Sequence, residues 1–361
     1  IPANRSINVK FSFLVNTHFM SRGSYFFFFQ KQLINDQCYR PQDILFITLD
    51  DKFDKTLKKR KEIVEIFMKK VYGKKANTKS SNQKHSGKKG HWLEKQMGTK
   101  PNGRNNPDLK GYEMKTETSP ITVGSWDPNY WIFRDEGQFP ELIGKKGKDK
   151  TAQRKINQNQ FLEYFGKPNE DKENRLSWSG TPIPKIDQTN LFGMKAEISN
   201  DDSYQIFYSF SKDSREGIES KIPERFQKGK TLIAKWGTSE EKSVRAKWNG
   251  GRKVSFKEKW NNKWDENGWF ICRMDKDGKY NSIVFGRPQK FKFFIDHLKT
   301  GEIYFDSGMY YGNSRNYCQW RTPKAFFDNL IVETYDAHIK TLDVRLNGNS
   351  ISTIDITETS Q

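Results

Sequence analysis

The longest uninterrupted apolar stretch in the chain is Tyr25–Phe29, far short of the roughly 20 residues a bilayer-crossing helix needs. No membrane association is therefore expected, and the core has to be assembled from short strands and amphipathic helices. Hydrophobic residues make up only 34% of the 361 residues, and mean hydropathy is −0.92. At about 150 residues per domain, this length suits one large two-lobed domain or two to three smaller ones. Ile1 to Phe19 is interrupted by Arg5, Lys10 and His18 and offers no small-residue cleavage site, so it does not read as a secretory signal. Cys38, Cys272 and Cys318 are widely spaced and odd in number, which supports neither a disulfide framework nor a zinc site. A reducing cytoplasm is the expected setting.

Charge narrows the function. Lys and Arg number 63 against 44 Asp and Glu, a formal net charge of +19, and aromatics reach 14%. A pI near 9.5 suits a protein that handles polyanions, nucleic acid foremost.

Along the chain, Ile44–Leu49 reads as a short apolar strand. Thr56–Tyr72 places Leu57, Ile63, Val64, Ile66, Phe67 and Val71 near helical spacing. Lys69–Lys89 holds eight Lys and no acid among Ser, Asn and Gly, the composition of a flexible basic linker or of a phosphate-contacting loop. Gly144–Lys155 reads as a second basic loop and Pro168–Asn174 as a polar turn. Tyr204–Phe210 and the Trp-containing segments between Thr231 and Phe285 read as strands, and GGRK at Gly250–Lys253 as a hairpin turn. The expected class is mixed α/β with a β-rich second half.

The chemistry concentrates in Pro101–Thr116, PNGRNNPDLKGYEMKT. Gly111 permits a turn, and Tyr112–Thr116 has the period of a strand. Glu113 and Lys115 then project from one face while Met114 points into the core. With Asp108 just upstream, two carboxylates and an ammonium converge. Carboxylate oxygens suit Mg2+, which takes one or two of them plus waters and substrate phosphate, and the Met114 carbonyl is a further oxygen ligand. Lys115 is placed to hold an attacking water and offset developing negative charge. Upstream, His91–Gly98 reads as a helix end with Trp92, Leu93 and Met97 as its apolar stripe. Glu94 on it is either a further acid of the site or an exposed partner of a nearby Lys.

Pro101–Lys115, with PNGR, PD and GYEMK in register, together with Leu93–Gly98, resembles the PD-(D/E)XK nucleases, and within them the MvaI/BcnI type II restriction endonucleases related to the repair nickase MutH. A second block, Thr300–Arg321, resembles the C-terminal signature of the same family, matching at Asp306, Ser307, Arg315, Asn316, Tyr317, Trp320 and Arg321. The resemblance implies a restriction-endonuclease-like core with Asp108 and Glu113 as metal ligands, Lys115 as the catalytic lysine and Glu94 as an accessory helical acid. It further implies Mg2+-dependent hydrolysis of double-stranded DNA to 5′-phosphate and 3′-hydroxyl ends at a short CC…GG-type site, by a monomer that cuts one strand at a time and has a cognate methyltransferase as genetic partner. The division expected on this basis is an N-terminal α/β accessory segment over 1–75, a basic linker over 76–90, a nuclease domain over 91–335 and C-terminal tail strands over 336–361. Within the nuclease domain, the catalytic lobe spans about 91–215 and a β-rich DNA-recognition region about 216–335.

The second block has a chemical reading of its own. Arg presents a fork of donors to guanine O6 and N7, and Asn or Gln does the same with adenine. Arg315, Asn316, Tyr317, Gln319 and Arg321, with Asp306, Ser307 and upstream Arg104, are the candidate DNA-contacting residues. For Arg315 and Arg321, phosphate positioning or an ion pair with Asp306 is the competing reading. Tyr310 and Tyr311 pack on sugar or in the core. A catalytic role for His91 or His297 is not expected. Three other functions compete: a MutH-like nickase, a catalytically silent DNA-binding protein, and an RNA-binding protein using its tryptophans as stacking platforms.

Overall fold

Apolar residues at four-residue spacing set the first helices. In the helix Asp51–Lys70 and just past its end, Ile63, Phe67 and Val71 form one stripe, and in the helix Lys88–Met97 the stripe is Leu93 and Met97. All five are at most 1% exposed. Each buried side chain of this kind contributes about 1.5–3 kcal/mol. Gly98, at φ +79, ends the second helix, and the Thr99 N–H returns to the Glu94 carbonyl at 2.9 Å, a left-handed cap that only glycine adopts cheaply. The computed structural model describes residues 58–79, 87–99, 105–238, 254–313 and 317–336 with their side chains, and the backbone of 51–57 and of short strands at 11–14, 25–26, 28–31, 46–47, 241–242, 252–253, 341–346 and 349–355.

The chain divides into two units, neither of them a single continuous segment. The first gathers residues 1–117, 266–288 and 327–361. Its four-stranded sheet runs in the order Ile331–Asp336, Tyr280–Gly286, Trp269–Met274, Glu113–Thr116. The pairs are antiparallel except the last, where Glu113 sits opposite Trp269 and Lys115 opposite Ile271 in parallel register. Met114, Phe270, Cys272, Ile283 and Phe285 face the two helices and close one core with Ile63, Phe67, Val71, Leu93 and Met97.

The second unit comprises 118–265 and 289–326. An antiparallel sheet orders Phe192–Ile198, Tyr204–Asp213, Lys230–Trp236 and Tyr130–Trp131, and a three-stranded sheet orders Tyr304–Ser307, Cys318–Thr322 and Ile121–Ser125. Its core is aromatic. Trp131, Trp178, Trp236, Trp260, Trp264 and Trp320 are at most 1% exposed, with the Trp236 and Trp320 rings edge to face at 5.4 Å and Trp260 stacked on Trp264 at 5.3 Å. Indole rings this deep have no face left for a nucleobase, so these six tryptophans are core residues and not stacking platforms.

Three sequence expectations change. The basic loop over Gly144–Lys155 is the start of a helix, Gly147–Phe165. Lys148 and Lys155 stay in solvent and Lys150 pairs with Glu136, while Phe161, Leu162 and Phe165 anchor its far end, so tertiary burial at one end carries a polar first half. The basic segment 76–90 is not wholly linker, because Lys88–Gly90 open the helix that bears Leu93. Most consequentially, the consecutive division into accessory segment and nuclease domain differs from the observed units. The helix Asp51–Lys70 shares a core with Met114, and strands from three distant parts of the chain build one sheet. Glu241–Lys242 does pair with Arg252–Lys253 as a hairpin would, and Gly250 itself lies outside the described residues.

Candidate active site

A two-residue turn brings the site together. The Tyr112 N–H donates to the Leu109 carbonyl at 2.8 Å and the Leu109 N–H to the Tyr112 carbonyl at 3.0 Å. Lys110 and Gly111 between them have φ of +54° and +81°, the geometry of a tight hairpin turn with two left-handed residues. A Cβ at position 111 would lie 2.2 Å from Asn267 Nδ2 and Glu266 Oε1, so glycine is required on steric as well as torsional grounds. Asn267 braces the turn, its side-chain amide donating to the Lys110 carbonyl at 2.9 Å and its backbone N–H to the Gly111 carbonyl at 3.1 Å.

The turn folds Asp108 back onto the strand that follows. Asp108 Oδ2 accepts the N–H of Met114, the residue between Glu113 and Lys115, at 3.0 Å. Strand alternation does the rest. Met114 enters the core, and Glu113 and Lys115 lie on the opposite face, where Lys115 Nζ is 2.7 Å from Glu113 Oε1. Their side chains are 2% and 12% exposed respectively. A carboxylate this deep needs a cation beside it, and here the ammonium supplies one.

Asp108, Glu113 and the Met114 carbonyl all offer hard oxygen donors. No group of three or more His, Cys, Asp or Glu among the described residues could by itself hold a metal ion. Two carboxylates are nevertheless what Mg2+ uses when waters and substrate phosphate complete its shell, so the residues present fit such an ion.

Glu94 is half-buried on the helix Lys88–Met97, whose Gly90 approaches Thr116 closely enough that a Cβ there would be 3.4 Å from its Cγ2.

In the second unit, Tyr304 pairs with Arg321 and Asp306 with Gln319 across adjacent strands. Alternation leaves Phe305, Ser307, Cys318 and Trp320 buried and turns Asp306, Gln319 and Arg321 to the other face. Arg321 Nε meets Asp306 Oδ2 at 2.7 Å, and Arg321 Nη2 donates to Gln319 Oε1. Burial pushes the Asp306 carboxyl above the usual range, against the pull of Arg321. The ion pair weighed as the alternative for Arg321 is thus present. Ser307 is 2% exposed and its Oγ accepts the Met309 N–H at 3.2 Å, a turn-forming role. Tyr317 and Tyr311 are 43% and 44% exposed. The Tyr310 ring instead carries the Arg175 guanidinium 3.6 Å from its centre. Arg104, Arg315 and Asn316 lie outside the described residues.

His297 is engaged locally, Nδ1 lying 2.6 Å from Glu302 Oε2 with Thr300 Oγ1 on the same oxygen. These contacts hold Glu302 below the usual carboxylate range. Asn267 was not legible as part of the site, because the only sequence signal it carries is that of a turn before Gly268.

The chain is thus a mixed α/β protein in which a tight hairpin turn presents Asp108, Glu113 and Lys115. The family described as LlaMI restriction endonuclease matches residues 71–335. The type II restriction enzyme ScrFI of Lactococcus lactis subsp. cremoris is 38% identical over 278 residues, covering 76% of this chain and 98% of that protein. Among solved structures, restriction endonuclease MvaI with its cognate DNA substrate aligns with a TM-score of 0.42 at 13% identity, over 80% of this chain and 99% of that one. MvaI without DNA aligns at 0.35 and 11%, over 80% and 98%. The chain belongs to the LlaMI restriction endonuclease family and is a type II restriction endonuclease, whose substrate is double-stranded DNA. No helix among the described residues is long and apolar enough to cross a membrane.

Proposed function

We propose that this endonuclease is Mg2+-dependent, with Asp108 and Glu113 as the metal-holding carboxylates and Lys115 as the catalytic lysine. The observation that carries the reading is the convergence of these three side chains on one turn and strand, with Lys115 Nζ 2.7 Å from Glu113. Bound there, Mg2+ would supply Lewis acidity toward the scissile phosphate and a lowered pKa for a coordinated water. The protein's own contribution is placement. Asp108 is held by the Met114 amide, Glu113 by burial, and Lys115 presents an ammonium to the negative charge that develops on phosphorus-bound oxygen. Attack of a water oxygen on phosphorus and departure of the 3′ oxygen leave 5′-phosphate and 3′-hydroxyl ends. Glu94 is retained as an accessory acid that engages when DNA and metal are present.

Base reading falls to Asp306, Gln319 and Arg321 on the outward face of the second unit's three-stranded sheet, together with Tyr317 and with Arg104, Arg315 and Asn316 as further candidate contacts. The resemblance to monomeric enzymes supports a short CC…GG-type site cut one strand at a time in the cytoplasm, under protection by a cognate methyltransferase. Digestion of a phage genome with and without Mg2+, followed by sequencing of the fragment ends, tests this directly. Discrete fragments that share one short motif and carry 5′-phosphates are expected only with the metal. Cleavage that is metal-independent, or ends without a common motif, would sink the reading.

A further inference from the structure

One buried polar group lies outside the residues that match the family, which begin at 71. Arg60, on the helix Asp51–Lys70, has a side chain only 15% exposed and is ion-paired through Nη1 with Glu333, itself 7% exposed. Its Nε donates to the Tyr112 hydroxyl at 2.8 Å. The guanidinium sits 5.7 Å from the centre of the Tyr112 ring and 5.6 Å from that of Phe285. Tyr112 is the last residue of the turn that sets Asp108 against the Met114 amide, and Glu113, the proposed carboxylate ligand, follows it immediately. Glu333 in turn sits opposite Phe285, on the neighbouring strand of the same sheet. A helix and two strands are thereby locked onto the one side chain that joins the turn to the catalytic strand.

We propose that Arg60, clamped by Glu333, is a positioning residue that holds the Asp108–Glu113 turn in its hydrolytic geometry through the Tyr112 hydroxyl. This rests on the reading of Asp108, Glu113 and Lys115 as the hydrolytic site, which Lys115→Ala tests on its own. A buried ion pair is a weak source of net stability, since apolar residues of similar size often replace it without loss. A fixed fork of donors aimed at a tyrosine hydroxyl is a good source of orientation. The pair is therefore explained by what it holds in place.

The test uses the full chain and two changes. Tyr112→Phe removes only the hydroxyl and keeps the core filled. Arg60→Met combined with Glu333→Met removes the pair without leaving a lone buried charge. In metal-free protein, amide hydrogen exchange at Leu109, Tyr112 and Met114 is expected to accelerate about tenfold in both variants, the order of one lost hydrogen bond, while the amides of Tyr280–Gly286 keep their protection. With Mg2+ and cognate duplex, kcat is expected to fall by about the same factor with KM within about twofold. The double variant is expected to unfold at or near the wild-type temperature. Unchanged exchange at the turn, uniform acceleration across the sheet, or wild-type kcat in either variant would overturn the proposal.

Discussion

At the scale of single residues, the site rests on a conflict resolved in place. Glu113 is a carboxylate at 1% exposure, and Lys115 reaches back over one residue to meet it at 2.7 Å. Lys115→Ala is therefore expected to do two separable things. Cleavage should fall by about 10²–10³-fold, the usual cost of one preorganised electrostatic contact, with DNA affinity in Ca2+ nearly unchanged. Folding stability should also drop by about 1–3 kcal/mol, because a buried charge loses its partner. Single-turnover rates and urea unfolding read the two effects independently, and a wild-type rate would show that Lys115 is not the catalytic lysine. Arg321 makes the opposite case, since its Asp306 partner is on the same outward face. If its remaining donors read guanine, Arg321→Ala should cost about 1–3 kcal/mol at one base pair and relax specificity there. A uniform loss over all sequences would mark a phosphate contact. The alternation that put Glu113 and Lys115 on one face and Met114 on the other was readable from residue order, because the strand period is two whatever the surroundings.

At the scale of elements, the helix Asp51–Lys70 changes standing. Its periodicity was plain in the sequence, but its partner was not. Ile63, Phe67 and Val71 pack on the sheet that carries the site, so the helix belongs to the first unit's core. Phe67→Ala, at 0% exposure, is expected to cost about 3–5 kcal/mol, and chemical denaturation should report it. A cost near zero would mean the helix is dispensable to that core. The helix Gly147–Phe165 shows the limit of reading composition. Its first half is as polar as a loop, and only the docking of Phe161, Leu162 and Phe165 decides for helix. The tryptophans mislead in the same direction, because sequence counts them without showing that their faces are used against one another.

At the scale of the whole molecule, a net charge of +19 predicts steep salt dependence. If six or more phosphates are contacted, affinity for duplex DNA should fall by about 10³-fold or more between 50 and 200 mM salt. Equilibrium titrations across that range would show a shallow slope if the basic residues instead serve only solubility. The sequence by itself determined that a glycine turn separates Asp108 from Glu113, that Glu113 and Lys115 share one face of the following strand, and that the chain carries the excess positive charge suited to a polyanion. Such properties are local or additive, fixed by side-chain type, spacing of a few residues and summed charge. Only the tertiary structure decided that Trp269–Met274 would lie parallel to Glu113–Thr116, that Asn267 would brace the turn, and that Arg60 and Glu333 would meet at Tyr112. Those pairings join residues tens to hundreds of positions apart, and they are settled by which apolar faces bury best against each other once the whole chain has collapsed.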